Sequence, residues 1–94
     1  MAVYVVTWNL NKERVNYAQA RSNFITQLEK YENKADQGLE SVRFIFTAQT
    51  TDQIDAFLRQ KLDNNDRLFV TKLVSGQHQG WLHQTVWDWI NSHL

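Results

Sequence analysis

A chain of 94 residues amounts to one domain, and its ten basic side chains are balanced by ten acidic ones. With no cysteine and no proline, it excludes a disulfide scaffold, a thiolate metal site and a thiol nucleophile, and it lacks the basic excess of a broad nucleic-acid footprint. Four Trp, five Phe and three Tyr supply core volume that so short a chain otherwise lacks. A formal net charge of zero also removes self-repulsion between copies.

The opening run Met1 to Val6 has no charged lead-in and is too short to span a membrane, so a cytoplasmic protein without a signal peptide is expected. From Val3 to Asn9 the pattern predicts a strand. Val3 and Val5 share one face, Tyr4, Val6 and Trp8 the other, and two apolar faces predict a central strand covered on both sides. The polar run Asn9 to Arg14, interrupted only by Leu10, ends it.

Between Val15 and Tyr31 the period lengthens. Tyr17, Phe24, Leu28 and Tyr31 fall on one face of a predicted amphipathic helix, flanked by Ala20 and Ile25. Glu32 to Glu40 is polar and contains Gly38, which predicts a loop whose only room for a further, weak strand is residues 36–40. Ser41 to Thr47 alternates as a second strong strand. Thr50 and Gln53 then have the spacing of a capping box, and Ile54, Phe57, Leu58 and Leu62 make the buried stripe of a helix over Asp52–Leu62.

Asp63-Asn64-Asn65-Asp66 reads as a turn, because Asn and Asp bond their own main chain. Leu68 to Val74 is the third strong strand, and Ser75 to Gly80 a loop with two glycines. A third helix is predicted over Trp81–Ser92, with Leu82, Val86, Trp89 and Ile90 on its continuous face. The order strand-helix-strand-helix-strand-helix, with two helices on one face of the sheet, predicts an α/β (α+β) sandwich of the ferredoxin-like kind spanning residues 1–94.

Three segments in this order carry a family resemblance: Tyr4-Val5-Val6-Thr7-Trp8-Asn9-Leu10-Asn11-Lys12, Glu40-Ser41-Val42-Arg43-Phe44-Ile45-Phe46-Thr47, and Leu62-Asp63-Asn64-Asn65-Asp66-Arg67-Leu68-Phe69-Val70. With the closing Trp89-Ile90-Asn91 they resemble the SinR-like small bacterial proteins. That group is similar in turn to the second core CRISPR-associated protein, the small subunit of the spacer-acquisition machinery, and to virulence-associated protein D. The resemblance implies a ferredoxin-like fold and a homodimer. For the better-studied branches it also implies metal-dependent cleavage of nucleic acid with Mg²⁺ or Mn²⁺, or a scaffold that holds nucleic acid. In those branches an aspartate follows the first strand between two hydrophobic residues, and two of them can meet one ion across the dimer axis.

Here that position is Asn9, between Trp8 and Leu10. Mg²⁺ is held through carboxylates that supply charge as well as oxygen, and an amide supplies none. A third helix after the last strand is a further departure. Asn9, Asn11, Lys12 and Arg14 form the candidate nucleic-acid or metal loop, set against an ordinary solvated turn.

Asp63 and Asp66 are read as turn residues, since the glycine and distal glutamate of a calcium loop are missing. His78, His83 and His93 are separated by five and ten positions, which is no metal-ligand spacing, so no metal centre is assigned. Tyr4, Trp8, Phe44 and Phe46 are read as core instead of base-stacking platforms. Trp81 and Trp87 lie off the main face of the third helix, which makes them candidates for a subunit interface.

Two functions stay open. One is a homodimer that binds or processes nucleic acid, in which case it is a metal-dependent nuclease if it is an enzyme at all. The other is a non-catalytic dimeric interaction module that has lost the metal-binding aspartate. No cofactor is expected outside the first reading, and no membrane partner in either.

Overall fold

The computed structural model describes residues 1–94. The elements are β1 Ala2–Asn9, α1 Tyr17–Leu28, β2 Glu32–Lys34, β3 Val42–Thr47, α2 Thr51–Arg59, β4 Arg67–Lys72 and α3 Gln84–His93. All four strands lie in one antiparallel sheet in the order β2-β3-β1-β4. A β-α-β-β-α-β run with that strand order is the ferredoxin-like arrangement, and α3 is added to it. No helix is long and apolar enough to cross a membrane.

The apolar alternation of β1 is used on both sides. Tyr4, Val6 and Trp8 join Ile45 of β3, Phe24 and Leu28 of α1 and Ile54 and Leu58 of α2 in one buried cluster. Val3 points the other way and packs with Phe44, Val86 and Ile90, so α3 covers the opposite face. The sandwich therefore has three layers: α1 and α2, the sheet, and α3. Trp8 packs on Phe24 with centroids 5.1 Å apart, which places two of the largest side chains in the larger cluster.

Several boundaries differ from the sequence expectation. The fourth strand is Glu32–Lys34, not residues 36–40. There the chain turns instead: the Asp36 carboxylate accepts the Gly38 N–H at 2.8 Å, and the Leu39 N–H donates to the Asp36 carbonyl at 3.0 Å. This side-chain-closed turn competes with extended backbone. β2 survives as three residues at the sheet edge because β3 supplies its partners, with Asn33 opposite Ile45.

α1 begins at Tyr17 instead of Val15, since residues 11–16 are taken up by turns that include Arg14 N–H to the Asn11 carbonyl at 3.3 Å. It ends at Leu28, and Tyr31 leaves the helix to pack edge-on against Phe57, with its hydroxyl donating to Gln49 Oε1 at 2.6 Å. Burial raises the Tyr31 pKa from its ordinary value.

The capping box at Thr50 and Gln53 is present in both directions, at 3.2 and 2.9 Å. α2 stops at Arg59, short of Leu62, and β4 at Lys72, short of Val74. Gly76 has φ +78°, the left-handed conformation that a side chain disfavours, and it turns the chain after β4. α3 starts only at Gln84, so Trp81 lies before the helix instead of on it. What sets that start is Asp36, whose Oδ2 accepts the N–H of the N-cap residue His83 at 2.8 Å.

Candidate functional site

The loop after β1 separates into held and free residues. Asn9 closes β1, exposed, opposite Arg67 of β4. Asn11 is held: its N–H donates to Asp66 Oδ1 at 2.8 Å and its side chain accepts from the Glu13 N–H at 3.1 Å. Arg14 is held more firmly, with its guanidinium 2.8 Å from Asp66 and 3.4 Å from Asp63. Lys12 is exposed and makes no hydrogen bond or ion pair. Of the four candidates, only Asn9 and Lys12 stand free for a ligand.

Asp66 explains why. Its side chain is fully buried, and it accepts from the Asn11 N–H, the Asp63 N–H and Arg14. A buried carboxylate is tolerable only when paired and hydrogen-bonded in this way. The Asp-Asn-Asn-Asp turn is thus a clamp between the β1–α1 loop and the α2–β4 turn. Nowhere do three or more His, Asp or Glu side chains gather closely enough to hold a metal ion. With Asn9 neutral, and Asp63 and Asp66 engaged by Arg14, the residues present do not fit a Mg²⁺ or Mn²⁺ centre.

The larger of the two main clefts, about 470 Å³, lies beside that turn and is polar. Its charged walls are already satisfied: Arg67 donates to the Asn64 and Asp66 carbonyls, and Arg59 pairs with Asp55 at 2.7 Å. The second, about 340 Å³, is different in kind. It opens between the sheet, α3 and the loop after β4, and its walls are mainly apolar, from Val5, Phe44, Leu73, Trp87 and Ile90 with Trp81 at the rim. None of its lining residues is Asp, Glu, Lys or Arg.

Protein-family models, curated proteins and solved structures were all compared with the chain, and none matches it. The functional reading accordingly rests on this geometry.

Trp81 is 98% exposed, an unusual position for the largest apolar side chain. Trp87 is half-buried and stacks on His78, with ring centroids 6.3 Å apart and planes 17° from parallel. His78 is in turn anchored by Nδ1 to the Val74 carbonyl at 3.0 Å. The two tryptophans that sequence spacing sets off the main helical face therefore meet at one groove, although only Trp87 belongs to α3.

Tyr4, Trp8 and Phe44 are buried, in keeping with the core reading, whereas Phe69 of β4 is 63% exposed. Sequence reasoning passed over Phe69, whose neighbours Leu68 and Val70 pack against the core. It also missed Asp36. The Asp-x-Gly spacing signals the turn, but nothing local signals the second bond, 47 positions away, to His83.

Proposed function

We propose that this chain is a homodimeric interaction module that keeps a ferredoxin-like scaffold and acts by binding, not by catalysis. The observation that carries this reading is the uncharged apolar groove with a fully exposed indole at its rim. Exposing so large an apolar surface is unfavourable unless a partner covers it, and Trp is among the residues that dominate association energies. The occupied state of Asp66 supports the non-catalytic half, since this buried carboxylate packed against the β1–α1 loop serves Arg14 and two backbone N–H groups.

Light scattering at micromolar concentration tests the assembly: twice the 11.1 kDa chain mass is expected, and a monomer at every concentration would sink it. Incubation with RNA and DNA plus Mg²⁺ or Mn²⁺ tests the chemistry. No cleavage is expected, and cleavage that disappears in Glu13→Ala would show a catalytic carboxylate in the loop.

A second reading has its own observation. Phe69 lies beside Thr7, Asn9 and Arg67 on a stretch of sheet that lines a shallow open depression. An exposed ring next to a cation on an open antiparallel sheet is the chemistry by which single-stranded nucleic acid is stacked and steered. Under this reading Phe69→Ala abolishes single-strand binding, and Lys12→Ala weakens it and flattens its salt dependence. Retention of full affinity in Phe69→Ala would remove it.

A further inference from the structure

We propose that the open edge of β4 takes up an extended, acidic segment of a partner protein as a fifth strand of the sheet. The inference deepens the binding half of the reading above. It uses a surface apart from the α3 groove, so it does not depend on the homodimer.

The backbone comes first. β4 is the outer strand of the order β2-β3-β1-β4 and pairs only with β1. The Leu73 N–H donates to the Val3 carbonyl at 2.8 Å. Bonding residues alternate in an antiparallel ladder, so Arg67, Phe69 and Thr71 turn their N–H and C=O groups toward Asn9, Thr7 and Val5. Those of Leu68, Val70 and Lys72 face outward, and no other hydrogen bond of the chain reaches them.

Natural sheets blunt such rows with short strands, proline, bulges, charge or a covering element. The other edge, β2, is three residues long, and its Glu32 is tied to His93. β4 runs six residues in unbroken register without proline, and Arg67, Phe69, Thr71 and Lys72 are exposed. Its one guard is charge.

That charge names the occupant. Arg67 and Lys72 stand at the two ends of β4, and the strand contains no acid. Lys72 makes no ion pair, and Arg67 donates only to the Asn64 and Asp66 carbonyls. β1 behind them carries no charged side chain, and the adjacent Asp66 is engaged by Arg14. A second copy would bring two more cations to this edge with nothing to offset them, and like charges on neighbouring strands are unfavourable. A segment with a carboxylate at each end meets both cations. Between them Phe69, 63% exposed, offers its ring to a β-branched side chain. Main-chain bonds then supply affinity, and the alternating side chains supply selection.

The probe is a fluorescein-labelled peptide with a Thr-Val-Thr-Val core and a glutamate at each end, titrated with dilute protein. It should bind, and added salt should weaken it. The same peptide methylated on every core nitrogen should bind at least about tenfold more weakly. Amide hydrogen exchange should slow at Val70 and Lys72 and stay unchanged at Phe69 and Thr71, which already bond to β1. Lys72→Glu is an exposed change whose fold circular dichroism checks. It should bind the glutamate peptide about tenfold less than the natural chain does, and a lysine-ended peptide more tightly.

No binding of the glutamate peptide, or equal binding of the methylated one, overturns strand addition. Equal affinity for glutamate-ended and lysine-ended peptides overturns the acidic occupant. Without peptide, slowed exchange at Val70 and Lys72 on raising the protein concentration would assign the edge to a second copy. The same slowing with a single-stranded oligonucleotide would assign it to nucleic acid, and either result overturns the proposal. Because the peptide is read on dilute protein, a chain that stays monomeric in light scattering sinks the homodimer and leaves this edge standing.

Discussion

On one side of the sheet, Tyr4, Val6, Trp8 and Ile45 meet Phe24, Leu28, Ile54 and Leu58 from two helices, and each of these residues is nearly or wholly inaccessible. On the other side, Val3 and Phe44 meet Val86 and Ile90 from a single helix, and a groove stays open beside them. The same alternating strand β1 feeds both. What differs is how many helices the chain brings to each face: the α1–α2 side is closed by the chain itself, and the α3 side is half closed. Each side also has its own buried aspartate, Asp66 joining loops beside α1 and α2, and Asp36 fixing the start of α3. A face completed by its own chain serves stability; a face left incomplete is available for a partner.

The largest expected effect lies in the closed cluster. Phe24→Ala should cost about 3–5 kcal/mol, since it deletes a fully buried ring packed on Trp8. That is a large share of the about 5–15 kcal/mol that holds a domain together. Ile90→Ala on the α3 side should cost clearly less, about 2 kcal/mol, because the open groove lets its neighbours relax. Urea unfolding of both variants measures the difference. Equal losses would mean that the two faces are equally consolidated, and the contrast would fail.

Next in size is the Asp66 clamp. Asp66→Ala leaves two backbone N–H groups without their acceptor and Arg14 without its shortest partner, at a cost of about 3 kcal/mol. The loss is held to that by the longer contact of Arg14 with Asp63, 3.4 Å, and by its partial exposure, 19%, which lets water reach the cation. Asp66→Asn should recover part of it by keeping an acceptor. A loss under about 1 kcal/mol in chemical denaturation would show the clamp to be decorative.

These two effects mark what could be read in the residues alone. Strand β1, the capping box at Thr50 and the buried stripe of α2 were legible because each rests on contacts within one or two turns of the chain. That β1 is covered on both sides followed from Val3 and Val6 pointing to opposite faces; that α3 is the second cover did not. β2 was not legible, since Glu-Asn-Lys has no strand pattern and pairs only because β3 lies beside it. Nor was the start of α3, which hangs on a bond from Asp36 across the fold. Of the two tryptophans read from their helical offset, Trp87 does belong to α3, whereas Trp81 lies before its start. The Arg14–Asp66 pair, 52 positions apart, could not be seen until the turn and the loop were brought together.

A smaller effect separates the layers by pH. The His83 and Gly38 backbone N–H groups hold the Asp36 carboxyl below the usual carboxylate range. A carboxyl with a depressed folded pKa contributes stability that is present above its unfolded pKa and lost as pH falls through the folded one. The α3 layer should therefore loosen in acid below about pH 4. The other end of the layer is tied to β2 through Glu32 and His93 at 2.5 Å, with the His93 ring stacked on Trp89. Asp36→Asn isolates the carboxylate's contribution, because Asn retains only one acceptor oxygen. Trp fluorescence followed against far-ultraviolet dichroism should report α3 first in the natural chain, and the acid dependence should shrink in Asp36→Asn. Simultaneous loss of both signals would mean that the layers unfold as one unit.

The smallest effect on the folded chain is expected where the effect on assembly is largest. Trp81 lies outside any helix, is 98% exposed and belongs to neither buried cluster. Its truncation removes almost no contact made within the chain, so Trp81→Ala should change unfolding free energy by less than about 0.5 kcal/mol when measured on dilute monomer. Stability and association must be measured separately, because a dimer raises apparent stability by mass action. At high protein concentration the natural chain should melt above Trp81→Ala, and the gap should close on dilution. A gap that persists at the lowest concentration would make Trp81 a structural residue of the monomer, and the open face of the sheet would then be less open than its exposed indole implies.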